Sequence, residues 1–341
     1  MKVKLNDNET YYRHVVFSIG IAMLVLLLLM DLAGFAKNAF QDILREIVFD
    51  PIIQEVAARL FYSILYLIVF MLPAAVLKFF LQTRGFSYYP MKAELRVSRR
   101  LPILLLGGVF LIWTQSYING ALVNVFNYSS FSSDVLWKQE EMKYWYQIVL
   151  QLLVAAFVPA FCEEFLFRGA VLTNLLPFGR TSAVMISALL FALMHRNAEQ
   201  ILYAFAAGIL LGLVYERTGS IWNCFFLHLA NNFSSVISDV LTLRLDLSDE
   251  LWWELLKIAL SVVCFGCVAL LTAIIAKPSI NFGEPFWGRS LSATDDVATH
   301  PISGSQAIRL FLNLPMILFL ALCAAQMIAL IVMAWGYSYG T

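Results

Sequence analysis

Long, nearly unbroken apolar runs constrain this chain more than any other feature. A helix that crosses a bilayer needs roughly 20 mostly apolar residues. Nine segments come close, near 15–36, 60–82, 101–124, 146–173, 181–196, 198–216, 220–243, 253–276 and 310–336. Within lipid the backbone must satisfy its own polar groups, so runs of this kind fold as helices. Composition agrees: 61% of residues are hydrophobic and 13% are charged, against about 45–50% and about 25% in soluble domains. The expected fold is therefore all-α, a polytopic transmembrane bundle of eight to nine spans. The formal net charge of zero offers no field for nucleic acid.

The runs divide the chain. Residues 1–145 hold the first membrane helices, and 244–341 hold the last. Between them, 146–243 forms a denser block of four spans, the expected core. Residues 40–59 mix charges with Ile, Val and Leu, the pattern of an amphipathic helix lying in the interface, with Pro51 as a breaker. Residues 277–308 lack periodicity and read as a flexible connector in which His300 is solvated. The first run follows Lys2, Lys4 and Arg13 but exceeds the 7–15 residues of a signal-peptide core, so it reads as an anchor.

Orientation follows Lys and Arg in short loops. The stretch from Lys78 to Arg100 carries six such residues and is expected in the cytoplasm. Alternation then puts the amino terminus inside, the acidic 246–250 loop outside, the 277–308 loop inside and the carboxyl terminus outside, in an integral protein of the plasma membrane. The five cysteines, Cys162, Cys224, Cys264, Cys267 and Cys323, all lie in apolar runs and suggest no disulfide framework. The C-x-x-C at 264–267 sits inside such a run and lacks the exposed setting of a redox pair.

Against this background, FCEEFLFRGAVL at 161–172 stands out. An ionisable group within a span costs about 2.5–3.5 kcal/mol on insertion scales, and such groups tend to face a bundle interior or a wet cavity. Glu164 and Arg168 are four apart and can pair on one helix face. Glu163 points about 100° away and has no helical partner of opposite sign, which leaves it placed to accept a proton. The fifth run ends FALMHRN, with Phe191 and His195 four apart. The seventh reads IWNCFFLHLANN, with His228 and Asn232 four apart and Asn231 turned away by one residue. The chain has only four histidines, and two of them fall in this block.

EEFLFR, FALMH and HLANN, in that order and joined by ERTGSIW at 216–222, resemble the three motifs of the CPBP family. These are the CAAX prenyl proteases and bacteriocin-processing enzymes, also called the Abi family. The resemblance spans roughly 146–243 and implies an intramembrane endopeptidase. Carried over, it implies Glu163 as general base on water, His195 as orienter of that water, and His228 with Asn232 as oxyanion donors. Glu164 and Arg168 would hold the first motif in shape. Peptide hydrolysis needs an activated water, donors for the developing charge and a proton for the leaving amine, and these residue types supply them. No serine or cysteine is paired with a motif histidine, so water is the expected nucleophile.

The H-E-x-x-H zinc signature is absent. The expectation is chemistry without a required cofactor, with Zn²⁺ on Glu163, His195 and His228 as the alternative. Expected partners are the lipid bilayer and a membrane-embedded or lipidated peptide or protein substrate, with no nucleic acid. Two rivals stand beside this reading: a catalytically silent scaffold or bacteriocin-immunity protein of the same fold, and a transporter, although the paired broken helices and repeats of transporters are not evident. One tension is visible. At ~1.5 Å per residue, with span four ending at 173, Glu163 lies about 15 Å and His195 about 22 Å from the same membrane surface.

Overall fold

The computed structural model describes residues 7–91, 144–244 and 300–339, with Trp252 and Ala259. The runs near 101–124 and 253–276, the C-x-x-C pair, the 246–250 loop and most of the 277–308 connector lie outside the described residues. Those described form helices joined by short turns, with no strand among them.

The helices are α1 (Asp7–Ile47), α2 (Pro51–Thr83), a composite α3 (Trp145–Phe178), α4 (Arg180–Met194), α5 (Ala198–Thr218), α6 (Ile221–Arg244), α7 (Gly304–Phe311) and α8 (Leu314–Tyr339). Among the described residues, five helical stretches are long and apolar enough to cross a membrane: α1, α2, α3, Gln200–Thr218 of α5 and Leu314–Val332 of α8. The chain is thus an integral membrane protein. The 15-residue α4 is apolar but short. Helix α6 has the length, at 24 residues, but Asn223, His228, Asn231, Asn232 and Asp239 lower its mean hydropathy.

Local chemistry explains the boundaries. Asp50 caps α2 by accepting from the backbone N–H of Ile52 at 2.8 Å and of Ile53 at 3.3 Å, and Pro51 occupies the first turn, where its missing N–H costs nothing. The break expected at Pro51 within the 40–59 segment falls at this cap. Residues 40–59 form no separate element: α1 runs on to Ile47, and α2 begins at Pro51. Gly179 ends α3 with φ of 151° and Gly219 ends α5 with φ of 62°, both in the left-handed region that glycine adopts without a Cβ clash.

Helix α3 contains two π-helical stretches, Leu153–Phe157 and Phe165–Leu172. Pro159 gives the first a cause. A proline inside a helix cannot donate, and its ring collides with the carbonyl four residues back. That carbonyl belongs to Ala155, inside the first π stretch, whose wider turn makes room. Such bulges recur at functional sites.

Helix α3 is the axis of the bundle, contacted by α2, α4, α5 and α6, while α1 packs on α2 and α8. The α4–α5 approach is close: a Cβ on Gly208 would lie 2.9 Å from Ala188 Cα. Small residues at helix contacts are how membrane helices gain packing energy without a hydrophobic driving force. Near the Gly179 turn, Tyr89 and Asn174 exchange two hydrogen bonds, at 2.8 and 3.1 Å, tying the segment after α2 onto α3. His300 is docked there rather than solvated. Its N–H donates to Pro177 O at 2.8 Å, and its ring lies 5.2 Å from that of Tyr11. The connector also becomes ordered helix by Gly304, capped by Ser303 and Gln306.

Candidate active site

Gly179 lies sixteen residues after Glu163 and sixteen before His195. Because α3 runs on to Phe178 rather than stopping at 173, the two arms of the α3–α4 hairpin are equal. At ~1.5 Å per residue both side chains sit about 24 Å from the turn. The expected mismatch in depth came from ending span four five residues early.

The foundation of the site is a buried ion pair. Arg168 donates from Nη1 to Glu164 Oε1 at 2.9 Å, and both side chains are wholly buried. Its Nη2 donates to Gly208 O at 3.1 Å, and its guanidinium lies 4.6 Å from the centre of the Phe191 ring. That ring is also 5.1 Å from His195 and 5.9 Å from His228. Phe191 is therefore the apolar wall against which the guanidinium and both imidazoles are set.

His228 Nδ1 lies 2.8 Å from Glu164 Oε1. A carboxylate can only accept, so Nδ1 carries the proton, and Nε2 turns to Glu163 Oε2 at 3.9 Å. His195 is fixed in the same sense, with Nδ1 donating to Phe191 O at 2.9 Å and Nε2 left for the cavity. Glu163 is 4% exposed. Its Oε1 accepts from the Tyr66 hydroxyl at 2.6 Å. Its Oε2 is buried and has no hydrogen-bond partner among the described residues.

A small pocket of about 90 Å³ is lined by Glu163, His195, His228 and Asn232, together with Tyr203 and Asn231. Beside it lies a cavity of about 650 Å³, reached by Glu163, His195 and Asn232 and bordered by Arg196, Gln200 and Asp239. Glu164 and Arg168 stand behind the pocket and do not line it. Arg196 follows His195 with φ of 53°, a left-handed conformation uncommon for a residue with a Cβ and found at functional sites. It pairs with Asp31 of α1.

Three residues, Tyr66, Tyr203 and Asn231, were not anticipated from the spacing. Tyr66 comes from α2, outside the expected four-helix core. Asn231, expected to be turned away, lines the pocket. Its Nδ2 donates to Asn232 Oδ1 at 3.1 Å, and its Oδ1 accepts from the Tyr203 hydroxyl at 2.5 Å. The zinc alternative names Glu163, His195 and His228, which line one pocket. Among the described residues, no three His, Cys, Asp or Glu side chains are grouped to hold a metal ion, although both histidines engage only Nδ1 and keep Nε2, the form a metal-binding histidine takes.

Residues 145–234 match a family model described as type II CAAX prenyl endopeptidase, Rce1-like. This segment is about a quarter of the chain and contains all three motifs. The match is to the family of CAAX proteases that EEFLFR, FALMH and HLANN resemble. No curated protein and no solved structure matches the chain.

Proposed function

We propose that this chain is an intramembrane endopeptidase that hydrolyses a peptide bond of a membrane-associated or prenylated peptide, using a water activated by Glu163. The observation that carries the reading is Glu163 Oε2. A buried carboxylate oxygen without a hydrogen bond is costly to maintain, and this one borders a cavity shared with two histidines and an asparagine. The match of residues 145–234 to CAAX prenyl endopeptidases supports the reaction class.

The steps follow from the donors and acceptors. Water held between Glu163 Oε2 and His195 Nε2 loses a proton to Glu163 and attacks the scissile carbonyl. Charge on the carbonyl oxygen is met by Asn232 Nδ2. Glu163 passes the proton on to His228 Nε2, 3.9 Å from Oε2, and the resulting imidazolium joins Asn232 as a donor, since Nδ1 is engaged with Glu164. Two carboxylates against one guanidinium leave the cluster one proton short of neutrality. The proton taken from water supplies it and is then delivered to the leaving amine, completing the cleavage. Preorganised donors of this kind are each worth ~10²–10³ in kcat. No step is routed through a metal.

The basic stretch after α2 supports an amino terminus in the cytoplasm of a cell with this protein in its plasma membrane. The cavity, bordered by the α4–α5 turn, would then open toward the outer face.

The test is cleavage of a prenylated peptide by purified protein in proteoliposomes. Glu163→Gln lowers the rate by ~10²–10⁴-fold, the usual weight of a general base, with an unchanged melting temperature. Cleavage at the wild-type rate by the folded variant would sink the proposal. A chelator leaves the rate unchanged if the chemistry needs only protein groups, and abolishes it if a metal is required.

A further inference from the structure

A carboxamide supports an oxyanion with Nδ2 and repels it with Oδ1, and a half-turn about one bond exchanges the two. The neighbours of Asn232 decide which end faces the pocket. Tyr203 on α5 donates its hydroxyl proton to Asn231 Oδ1 at 2.5 Å. With that oxygen engaged, Asn231 presents Nδ2, which donates to Asn232 Oδ1 at 3.1 Å. Asn232 is thereby held by its oxygen. Its Nδ2 has no hydrogen-bond partner among the described residues, and all three side chains line the pocket that holds Glu163.

The chain of bonds has a direction because a phenol has a single proton. With both amides reversed, Asn231 would donate to the Tyr203 oxygen and Asn232 would donate to Asn231. The Tyr203 proton would then lose Asn231 Oδ1 as its acceptor, and a lost hydrogen bond costs about 0.5–1.5 kcal/mol. The observed polarity gives the Tyr203 proton an acceptor and leaves Asn232 Nδ2 turned to the reacting carbonyl.

We propose that Tyr203 and Asn231 are positioning residues that fix the polarity of the Asn232 carboxamide so that Nδ2 meets the oxyanion. The proposal rests on the endopeptidase reading and adds to it two residues that touch no reacting atom. It gives the doubled asparagine of HLANN a division of labour, the first residue orienting and the second donating. It also assigns α5 a part in the chemistry beyond packing.

The experiment uses the full-length protein in proteoliposomes with a prenylated reporter peptide. Asn231→Asp is nearly isosteric and still accepts from Tyr203, but it has no donor for Asn232 Oδ1. The Asn232 amide then turns to donate to the new carboxylate and shows its oxygen to the substrate. The expected result is a kcat reduced ~10²-fold or more, approaching that of Asn232→Ala, as for loss of one oxyanion donor. KM and melting temperature stay near wild type. Tyr203→Phe frees the polarity and lowers kcat about tenfold, equivalent to one net hydrogen bond. In an Asn232→Ala background the same change costs nothing further.

Wild-type kcat in Asn231→Asp, alongside an inactive Glu163→Gln, overturns the relay and leaves the endopeptidase reading standing. Cleavage by Glu163→Gln instead overturns that reading. An equal loss from Tyr203→Phe in both backgrounds, or a loss that tracks a fall in melting temperature, assigns Tyr203 to packing and overturns the relay as well.

Discussion

Glu163 and Glu164 are adjacent in the chain, and the helix sends them to different tasks. Glu164 accepts from Arg168 and from His228, all within a closed interior. Removing one partner of a buried pair strands the other charge, at about 3–5 kcal/mol. Arg168→Leu is therefore expected to lower the melting temperature sharply and to remove activity with it, whereas Glu163→Gln removes activity alone. Circular dichroism melts of the two variants separate these outcomes, and equal melts would refute the division. Tyr66→Phe takes the only hydrogen bond from Glu163 Oε1 among the described residues while keeping the ring. It is expected to reduce kcat about tenfold, the order of one hydrogen bond to a charged group, with KM little changed. The pairs four residues apart were legible in the sequence because helical spacing places such residues on one face. Tyr66 was not. It lies 97 positions from Glu163 in an aromatic, apolar run with no polar pattern to mark it. Asn231 was misread for a related reason. One helical step does turn it from Asn232, but the pocket curves around α6 to meet Tyr203, and no single-helix projection contains α5.

The four consecutive helices after Tyr144 work as two hairpins, and their lengths set the site as much as their side chains do. The equal arms about Gly179 bring Glu163 and His195 to one depth, a property hidden until α3 is seen to continue through Pro177 to Phe178. The π stretches were likewise not readable, since they depend on how the turns around Pro159 relax against α2 and α6. What holds the hairpins together is the close approach at Gly208, whose carbonyl also receives Arg168 Nη2 at 3.1 Å. Alanine there gains helix propensity of about 1 kcal/mol, but its Cβ would meet Ala188 Cα at 2.9 Å, and overpacking costs about 1–3 kcal/mol. Gly208→Ala should thus lower both the melting temperature and kcat, by parting α4 from α5 under the Arg168 anchor. Gly34→Ala, on α1 with nothing within 4 Å of the added carbon, should be neutral or stabilising. If the two substitutions behave alike, close helix approach does not govern the site.

For the whole molecule, the charges along the chain give an expectation of the face to which the cavity opens. Arg13, Lys78, Arg84, Arg180 and Arg217 gather at the end holding the Gly179 and Gly219 turns, and in the sequence Lys92, Arg96, Arg99 and Arg100 follow α2. The opposite end carries Asp31, Asp42, Glu46 and Asp50 with Lys37, Arg45, Arg196 and Arg244, so the contrast rests on the Lys78–Arg100 stretch. If the Lys- and Arg-rich stretch lies in the cytoplasm, the α4–α5 turn, with Arg196 and Gln200 bordering the 650 Å³ cavity, is expected at the outer face. The consequence is chemical. A peptide entering from that side comes from the outer leaflet or the exterior, whereas one lipidated in the cytoplasm would have to reach the site through the wall of the bundle. Two exposed positions test the assignment. Glu46→Cys is expected to react with a membrane-impermeant maleimide on intact cells, and Thr83→Cys only after the cells are opened, each measured against the parent chain. The reverse pattern would place the mouth of the cavity in the cytoplasm, and with it the face from which a prenylated substrate is drawn.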